Sequence, residues 1–145
     1  MGANLGDAER AVRQALDDLA RLPGTQLTAR SSLWRSAPVD AAGPDFINAV
    51  AELRTALSAC ELLRALQRLE HAAGRQRPYR YAPRTLDLDL LLYGDVRSDS
   101  PQLQLPHPRL TKRAFVLRPL AEIAPQRVSP AALDAVAAQR VERLA

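Results

Sequence analysis

The most constraining feature of this sequence is a leucine-rich run at residues 86–93, which carries two aspartates and is closed by a Gly-Asp turn dipeptide. Side chains alternate across a strand, so a strand here places Asp87 and Asp89 on one face. Their α-carbons would lie about 6.5–7 Å apart. The opposite face is apolar and consists of Leu86, Leu88, Leu90 and Leu92.

Two carboxylates this close repel by about 2–3 kcal/mol at an effective dielectric of 20, and by less than about 1 kcal/mol in water. On an exposed sheet face that cost is trivial, and the pair is then simply solvated. In a cleft the pair favours a cation, and magnesium typically takes one or two carboxylates together with substrate phosphates. An arginine cluster nearby suits a polyphosphate with its metal, so both interpretations stay open. The cluster is Arg64, Arg68, Arg75, Arg77, Arg80 and Arg84.

Length and composition indicate one ordinary domain covering residues 1–145. The chain is 47% hydrophobic and 25% charged, values typical of globular proteins. We find no apolar run long enough for a membrane span and no signal peptide. A lone cysteine, Cys60, excludes an internal disulfide and fits a cytoplasmic setting. Because Cys60 falls in a helical pattern, we expect a buried structural thiol rather than a nucleophile.

Periodicity and capping signals predict an α+β chain with helices covering a largely antiparallel sheet. Helices are predicted at 8–22 after Asp7, from the Ser58–Glu61 capping box to Gly74, and from Ser129 to the end of the chain. Strands are predicted at 26–35, 46–53 and 86–93, with a short helix or strand around 115–117. Residues 2–7, 36–45 and 75–84 are predicted as loops.

Several binding classes can be weighed at this point. The phosphate-binding patterns G-x-x-x-x-G-K-[ST] and G-x-G-x-x-G do not occur, so arginines and metal would have to hold any nucleotide. The basic loop also suits nucleic acid, but only Tyr79 and Tyr81 interrupt it, and strand binders favour more aromatic residues. His107 lies between two prolines in a rigid loop, where it is either structural or a ligand contact.

The stretch from Gly74 to Asp89, which ends in an R-x-L-D-L-D block, resembles the signature of the 6-hydroxymethyl-7,8-dihydropterin pyrophosphokinase family. Further matches are G-A-N-L-G-D at 2–7, D-F-I-N-A at 45–49, P-H-P at 106–108 and R-A-F at 113–115. Together they extend the resemblance from residue 2 to about residue 125. Ordered motifs of this specificity are not expected by chance.

The resemblance implies a ferredoxin-like fold of α/β/α layers. It also implies an ATP-dependent enzyme of folate biosynthesis, which transfers pyrophosphate from ATP to the hydroxymethyl oxygen of a dihydropterin and releases AMP. Two magnesium ions are implied at Asp87 and Asp89. We expect a cytoplasmic monomer whose partners are ATP and the dihydropterin, with no nucleic acid or membrane. The alternative is a non-catalytic nucleic-acid-binding module on a similar sheet.

Site residues follow from the resemblance position by position. The catalytic positions are Arg75, Arg84, Asp87 and Asp89. The ATP-side positions are Gln67, Glu70, Arg77, Arg84, His107 and Arg113. The pterin-side positions are Ser36, Ala37, Val39, Phe46, Asn48, Tyr81 and Phe115. These types suit the chemistry, since aromatic rings can cover a flat heterocycle and the Asn48 amide offers both a donor and an acceptor to its edge.

The chain departs from the family pattern in a few places. Tyr81 stands where the family usually has tryptophan, and Ser36 where it usually has threonine. Relatives also carry a short apolar strand before G-x-N-L-G-D, whereas Met1 stands directly before Gly2. We therefore expect a gap in the sheet, marginal stability of the 145-residue chain, and upstream codons that encode an alternating apolar stretch.

Overall fold

A computed structural model of the protein describes residues 1–4, 6–37, 44–74 and 86–144. Within these ranges the helices are α1 (Ala8–Ala20), α2 (Ala59–Gly74), α3 (Ala114–Ile123) and α4 (Pro130–Ala135), with a 3-10 turn at Pro125–Arg127. The strands are β1 (Gly2–Ala3), β2 (Thr25–Arg30), β3 (Trp34–Ser36), β4 (Phe46–Asn48), β5 (Ala51–Thr55), β6 (Ser98–Ser100), β7 (Leu103–Leu105) and β8 (Val141–Arg143).

All strand pairs in the described ranges are antiparallel, which confirms an α+β chain. A four-stranded sheet has the order β1-β4-β3-β8, while β2 pairs with β5 and β6 pairs with β7. Asn48 lies opposite both Gly2 and Trp34, so β4 is central to the larger sheet. On its other side, Gly2 makes an isolated bridge to Asp87. Strand β1 therefore lies between β4 and residues 86–93, which we call the acidic segment.

The helices begin where the capping signals predict. The side chain of Asp7 accepts a hydrogen bond from the backbone N–H of Arg10 at 3.1 Å. At α2, the N–H of Glu61 donates to Ser58 Oγ at 3.1 Å and the N–H of Ser58 donates to Glu61 Oε1 at 2.9 Å. Hydrogen bonds to the carboxylate from the backbone and the side chain of Ser58 lower the pKa of Glu61. Ser129 caps α4 in the same way.

The helices pack on the acidic segment and its neighbours through separate apolar clusters. Residues of α1 and α2 pack with Leu86 and Leu88, which are buried, in one cluster. Helix α3 packs with Val50, Leu91 and Leu92 in another. None of the helices in the described ranges is both long and apolar enough to cross a membrane.

Two predicted strands are each divided in the structure. The strand predicted at 26–35 is β2 and β3, and the strand predicted at 46–53 is β4 and β5. At the breaks, Ser31 and Val50 face each other: the N–H of Ser31 donates to the carbonyl of Val50 at 2.8 Å, and the N–H of Val50 donates to Ser31 Oγ at 2.9 Å. The chain passes from one sheet to the next at this point, and residue alternation alone does not reveal such a change.

Four other predictions are corrected. The opening residues, predicted as a loop, include β1. The predicted strand at 86–93 contributes only the bridge at Asp87. The last predicted helix ends at Ala135, and β8 follows it because its backbone pairs with β3. Cys60 is exposed rather than buried, because it lies on the outer side of the first turn of α2.

Two further segments form more regular structure than the sequence pattern predicts. The stretch around 115–117, predicted as a short helix or strand, belongs to one longer helix, α3, which continues to Ile123 and contains Pro119. The hairpin of β6 and β7 was not predicted, since its strands are short and mostly polar.

Candidate active site

A cavity of about 250 Å³ lies where β1, β3 and β4 meet the acidic segment and the start of α3. It gathers residues from five separate stretches of the chain. The predicted site residues in its lining are Ser36, Ala37, Phe46, Asn48, Asp87, Asp89, Arg113 and Phe115. Folding thus brings together motifs that are far apart in the sequence, and we call this space the polar cavity.

The buried polar edge of the cavity is formed by Asn48 and Ser36. Asn48 is 4% exposed and Ser36 is 6% exposed, and Asn48 Nδ2 donates a hydrogen bond to Ser36 Oγ at 2.9 Å. They come from neighbouring strands β4 and β3, whose register fixes the pair. Buried polar groups need partners, and this bond uses only part of what the amide and the hydroxyl offer. The remaining hydrogen-bonding capacity of the amide and the hydroxyl is available to the polar edge of a ligand.

Gly2 is a cavity residue for a steric reason that the sequence did not reveal. A β-carbon added at Gly2 would lie 2.8 Å from Asn48 Oδ1. Because that distance is shorter than real β-carbon contacts, any side chain at this position displaces the amide. Glycine here therefore leaves Asn48 in place.

The two carboxylates, Asp87 and Asp89, are exposed and alternate with buried Leu86 and Leu88. The backbone that carries them is held on both sides. Gly2 N–H donates to the Asp87 carbonyl at 2.9 Å, and Asp87 N–H donates to the Gly2 carbonyl at 2.8 Å. Between the two aspartates, the N–H of Leu88 donates to Glu70 Oε2 at 2.9 Å. Helix α2 thus holds the backbone between the two aspartates through Glu70. The sequence did not predict this contact between Glu70 and Leu88.

His107 lies beside the second carboxylate, with Nε2 4.0 Å from Asp89 Oδ1. Its Nδ1 accepts a hydrogen bond from the backbone N–H of Arg109 at 3.1 Å. A neutral imidazole with an accepting Nδ1 carries its proton on Nε2, which is the atom nearest Asp89. The N–H of His107 also donates to the Leu91 carbonyl at 2.9 Å. The proline-framed loop is thereby attached to the acidic segment.

The start of α3 supplies a cation and an aromatic ring. The Arg113 guanidinium lies over the Phe115 ring, 5.3 Å from its centroid, a cation–π arrangement. Gln139 holds this corner through both ends of its amide. Its Nε2 donates to the Lys112 carbonyl at 2.9 Å, and its Oε1 accepts from the Ala114 N–H at 2.8 Å. Residues near the end of the chain therefore position two lining side chains.

The amino group of Met1 is buried beside the carboxylates, although the residue as a whole is only partly buried. It donates to the carbonyl of Ala49 at 2.9 Å. Burial lowers the pKa of this amino group, while the carboxylates of Asp89, Asp87 and Glu70 act in the opposite direction.

The described residues contain no cluster of three or more histidine, cysteine or acidic side chains of the kind that encloses a metal. Magnesium does not require such a cluster, because it is commonly held by one or two carboxylates with substrate phosphates. The exposed oxygens of Asp87 and Asp89 in the cavity wall fit that mode of binding.

Other predicted site residues lie elsewhere. Gln67, Glu70 and His107 are not in the lining of the polar cavity, and Gln67 is exposed on α2. Five predicted residues fall outside the described ranges: Val39, Arg75, Arg77, Tyr81 and Arg84. Their roles stay predictions.

Comparison with known proteins matches the chain to one family over most of its length. The family described as "7,8-dihydro-6-hydroxymethylpterin-pyrophosphokinase (HPPK)" matches residues 1–125. A 2-amino-4-hydroxy-6-hydroxymethyldihydropteridine pyrophosphokinase of Pseudomonas aeruginosa is 44% identical, over 99% of this chain and 93% of its own length. The protein of the same name from Bacillus subtilis is 42% identical, over 87% of this chain and 76% of its own length. A mitochondrial folate synthesis bifunctional protein of Arabidopsis thaliana is 41% identical, over 85% of this chain and 22% of its own length.

Proposed function

Because the chain belongs to the 7,8-dihydro-6-hydroxymethylpterin-pyrophosphokinase family, we propose that the polar cavity binds the pterin and that Asp87 and Asp89 hold magnesium at its wall. The chain is an ATP-dependent pyrophosphokinase of folate biosynthesis. It transfers the pyrophosphoryl group of ATP to the hydroxymethyl group of 6-hydroxymethyl-7,8-dihydropterin and releases AMP.

The observation that carries the proposal is the composition of the polar cavity. Asn48 and Ser36 present a buried donor and acceptor edge, and Phe46 and Phe115 add aromatic surface. A flat heterocycle with a polar rim needs both features, since its faces pack against rings and its edge needs hydrogen bonds. Asp87, in the same lining, brings the carboxylate pair to the bound heterocycle.

The protein's own contribution to the transfer is positioning and electrostatics. Magnesium bound to the aspartate pair would neutralise charge on the polyphosphate. Glu70 and Gly2 hold the backbone of that pair, so the main-chain positions from which both carboxylates extend are fixed. Arg113 adds a positive charge at the wall of the polar cavity, and His107 directs its Nε2 proton towards Asp89. Two ions rather than one are part of the proposal.

Arg75 and Arg84 are proposed to engage the phosphates during transfer, on the strength of the sequence motif. A guanidinium that binds two oxygens is not replaced by lysine. Arg84→Ala and Arg84→Lys should therefore both lower kcat by orders of magnitude while the Kd for ATP changes much less. Arg64→Ala, on the exposed side of α2, is the matched control and should leave turnover near wild type. Equal losses at both positions would mean general charge attraction only.

We also propose the finer architecture and setting. The packing of α1 and α2 on one cluster and of α3 on another supports ferredoxin-like α/β/α layers. Pairing of β8 with β3 supports one domain that includes residues beyond 125. A monomeric state and a cytoplasmic setting are part of the proposal, and the exposed free thiol of Cys60 suits a reducing compartment.

The test is AMP formation from ATP and magnesium, with and without 6-hydroxymethyl-7,8-dihydropterin. AMP should appear only with the pterin. The matched control is the 6-methyl dihydropterin, which has the same ring and no oxygen to accept the group. Absence of AMP together with oligonucleotide binding that weakens steeply with salt would instead support a nucleic-acid-binding module.

A further inference from the structure

The polar cavity has two walls that come from distant parts of the chain. One is the polar edge, where Ser36 of β3 accepts the hydrogen bond of the Asn48 amide. The other is the start of α3, which contributes Phe115 to the lining. A flat heterocycle can contact both walls only when the aromatic ring and the polar edge are correctly spaced. The contacts that set this spacing therefore bear on ligand binding.

The start of α3 is not capped by its own residues. Within the described ranges, the N-cap residue Arg113 makes no side-chain capping bond, so the first N–H groups of the helix need partners from elsewhere. Ala114 is 1% exposed, and an N–H left unpaired at so buried a residue is costly. Gln139, which lies 25 residues further along the chain, supplies the partner through its Oε1 at 2.8 Å.

The Gln139 amide holds the backbone on both sides of Arg113. Its Oε1 accepts from the N–H of Ala114, and its Nε2 donates to the carbonyl of Lys112 at 2.9 Å. Only one orientation of the amide makes both bonds, because Lys112 offers an acceptor and Ala114 offers a donor. Gln139 therefore fixes the direction in which the chain enters α3.

Gln139 is also held close to the other wall. Two residues further on, Val141 pairs with Ser36 in the ladder of β8 and β3. Two residues of chain span at most about 7 Å, which limits the distance between the contact with α3 and the contact with Ser36. The N–H of Gln139 donates to the carbonyl of Val136 at 3.0 Å, and Val136 belongs to the same buried cluster as Ala114. This short piece of chain thus connects the two walls.

The end of the chain is attached to the core without Gln139. The N–H of Leu144 donates to the carbonyl of Leu33 at 2.9 Å, and Leu144 packs against the buried cluster that contains Ala3 and Ile47. The side chain of Gln139 is exposed, so its replacement leaves these apolar contacts intact. Its amide is therefore expected to act on the first turn of α3 rather than on folding.

We propose that Gln139 is a positioning residue for the pterin, which places the Phe115 ring relative to the polar edge by holding the first turn of α3. This role rests on the proposed binding of the pterin in the polar cavity. Gln139 is not among the described residues that line the cavity, so it acts through Phe115. It also lies outside residues 1–125, to which the family match extends.

The test is Gln139→Met, which keeps the length of the side chain and loses both amide bonds. The KM for the pterin should rise about tenfold, the loss expected from a hydrogen-bonded contact. The KM for ATP and kcat should each change less than about twofold, because the long Arg113 side chain can adjust to a backbone shift that the Phe115 ring cannot. Gln104→Met, at an exposed position of β7, is the matched control and should change none of the three. An unchanged KM for the pterin, or equal rises for both substrates, would overturn the proposal.

A double-variant cycle shows whether Gln139 acts through Phe115. In the Phe115→Leu background there is no ring to place, so Gln139→Met should change the KM for the pterin by less than about twofold. The same tenfold factor in both backgrounds would mean that Gln139 acts elsewhere, and would overturn the proposal.

Gln139→Glu separates the two amide bonds. Its carboxylate can still accept from Ala114 N–H, at a helix N-terminus that favours negative charge, but it cannot donate to Lys112. The KM for the pterin should therefore lie below that of Gln139→Met. If the two variants were equally impaired, the bond to Ala114 would not be what places the ring, and the positioning role would fall.

The same measurements separate this role from the proposed site. If the unchanged enzyme forms AMP with the pterin, Phe115→Leu raises the KM for the pterin and Gln139→Met does not, only the positioning role is overturned. If Phe115→Leu also leaves that KM unchanged, the pterin binds outside the polar cavity, and both proposals fall.

Discussion

A second cavity of about 490 Å³, which we call the trough, lies between residues 50–55 and 88–94. The polar cavity and the trough share Met1, Val50, Asp89 and Leu91 in their linings but are built in different ways. The polar cavity is formed by side chains from scattered stretches, each held by a specific hydrogen bond. The trough is formed by two backbone edges and by leucines from three helices. A single substitution can therefore remove one function of the polar cavity, whereas the trough responds through packing and stability. Residues 87–89 contribute to both cavities: Asp87 lines the polar cavity, Leu88 lines the trough, and Asp89 lines both.

The largest effect is expected at the carboxylate pair. Asp87→Asn or Asp89→Asn should lower kcat by about a thousandfold or more, because the amide cannot replace a charged metal ligand. Thermal melting should change little, since both side chains are exposed. The control is Asp17→Asn on the exposed side of α1, which should keep full activity. Near-normal turnover of either site variant at saturating magnesium would end the metal-site proposal.

On the trough side, Leu66→Ala should act on stability alone. Leu66 is 5% exposed and lines the trough from α2. Removing buried leucine atoms costs about 2–5 kcal/mol, and we expect the lower half because part of the surroundings is already open. Urea unfolding measures the change, with Arg64→Ala on the same helix as control. A matching loss of kcat per folded molecule would show that the two cavities are not separable.

A smaller effect is expected at the polar edge. Gly2→Ala should push Asn48 Oδ1 away from its present position and raise the KM for the pterin by about tenfold, or about 1.4 kcal/mol. Ser36→Ala disturbs the same amide from its other end. The two changes act on one group, so the double variant should be less than additive. Additive losses, or a change in the KM for ATP instead, would contradict the assignment of Asn48 to the pterin edge.

The smallest effect lies away from both cavities, at Glu122 of α3. Its carboxylate accepts hydrogen bonds from Ser32 N–H at 3.0 Å, Ser32 Oγ at 2.6 Å and Trp34 Nε1 at 3.0 Å. Burial raises the pKa of Glu122, but these bonds outweigh it and place the pKa below the ordinary 4.5. After allowance for solvent screening, Glu122→Gln should cost about 0.5–1 kcal/mol at neutral pH.

The sign of the pH dependence follows from that lowered pKa. The unfolded chain binds the proton first as pH falls, so the stabilisation is present above about pH 4.5 and is lost below it. Glu122→Gln should therefore flatten the acid side of a plot of Tm against pH, whereas Glu142→Gln on β8 should leave it unchanged. If the acid side of the plot were the same for Glu122→Gln as for the wild type, the hydrogen bonds to Glu122 would contribute nothing to stability.

Local chemistry made part of the fold predictable. Asp7, the Ser58–Glu61 pair and Ser129 each mark a helix start, because a side-chain oxygen next to free N–H groups acts within one turn. The alternation at 86–89 likewise predicted which side chains are buried and which face the polar cavity. These signals depend on a few neighbouring residues.

The failures depended on distant partners. No residue near Ser31 in the sequence indicates that Ser31 faces Val50, or that the chain passes from one sheet to another at this point. The tail at 141–143 has an apolar spacing that fits a helix, yet it pairs with β3. Glu70 reaches Leu88 N–H, and Gly2 makes room for Asn48, through contacts that the sequence does not encode locally. The site residues could be named from a family motif, but their geometry required the fold.

The hydrogen bond from Trp34 to Glu122 has a spectroscopic consequence. Trp34 is the single tryptophan of the chain, so its fluorescence reports on one corner of the protein only. Its indole N–H faces a carboxylate on α3, and two residues further along β3 lies Ser36, in the wall of the polar cavity. A ligand that moves β3 against α3 will change the emission maximum and its quenching, without any label being attached. We therefore expect Trp34 emission to report substrate binding in a stopped-flow cell, on the timescale of a single turnover.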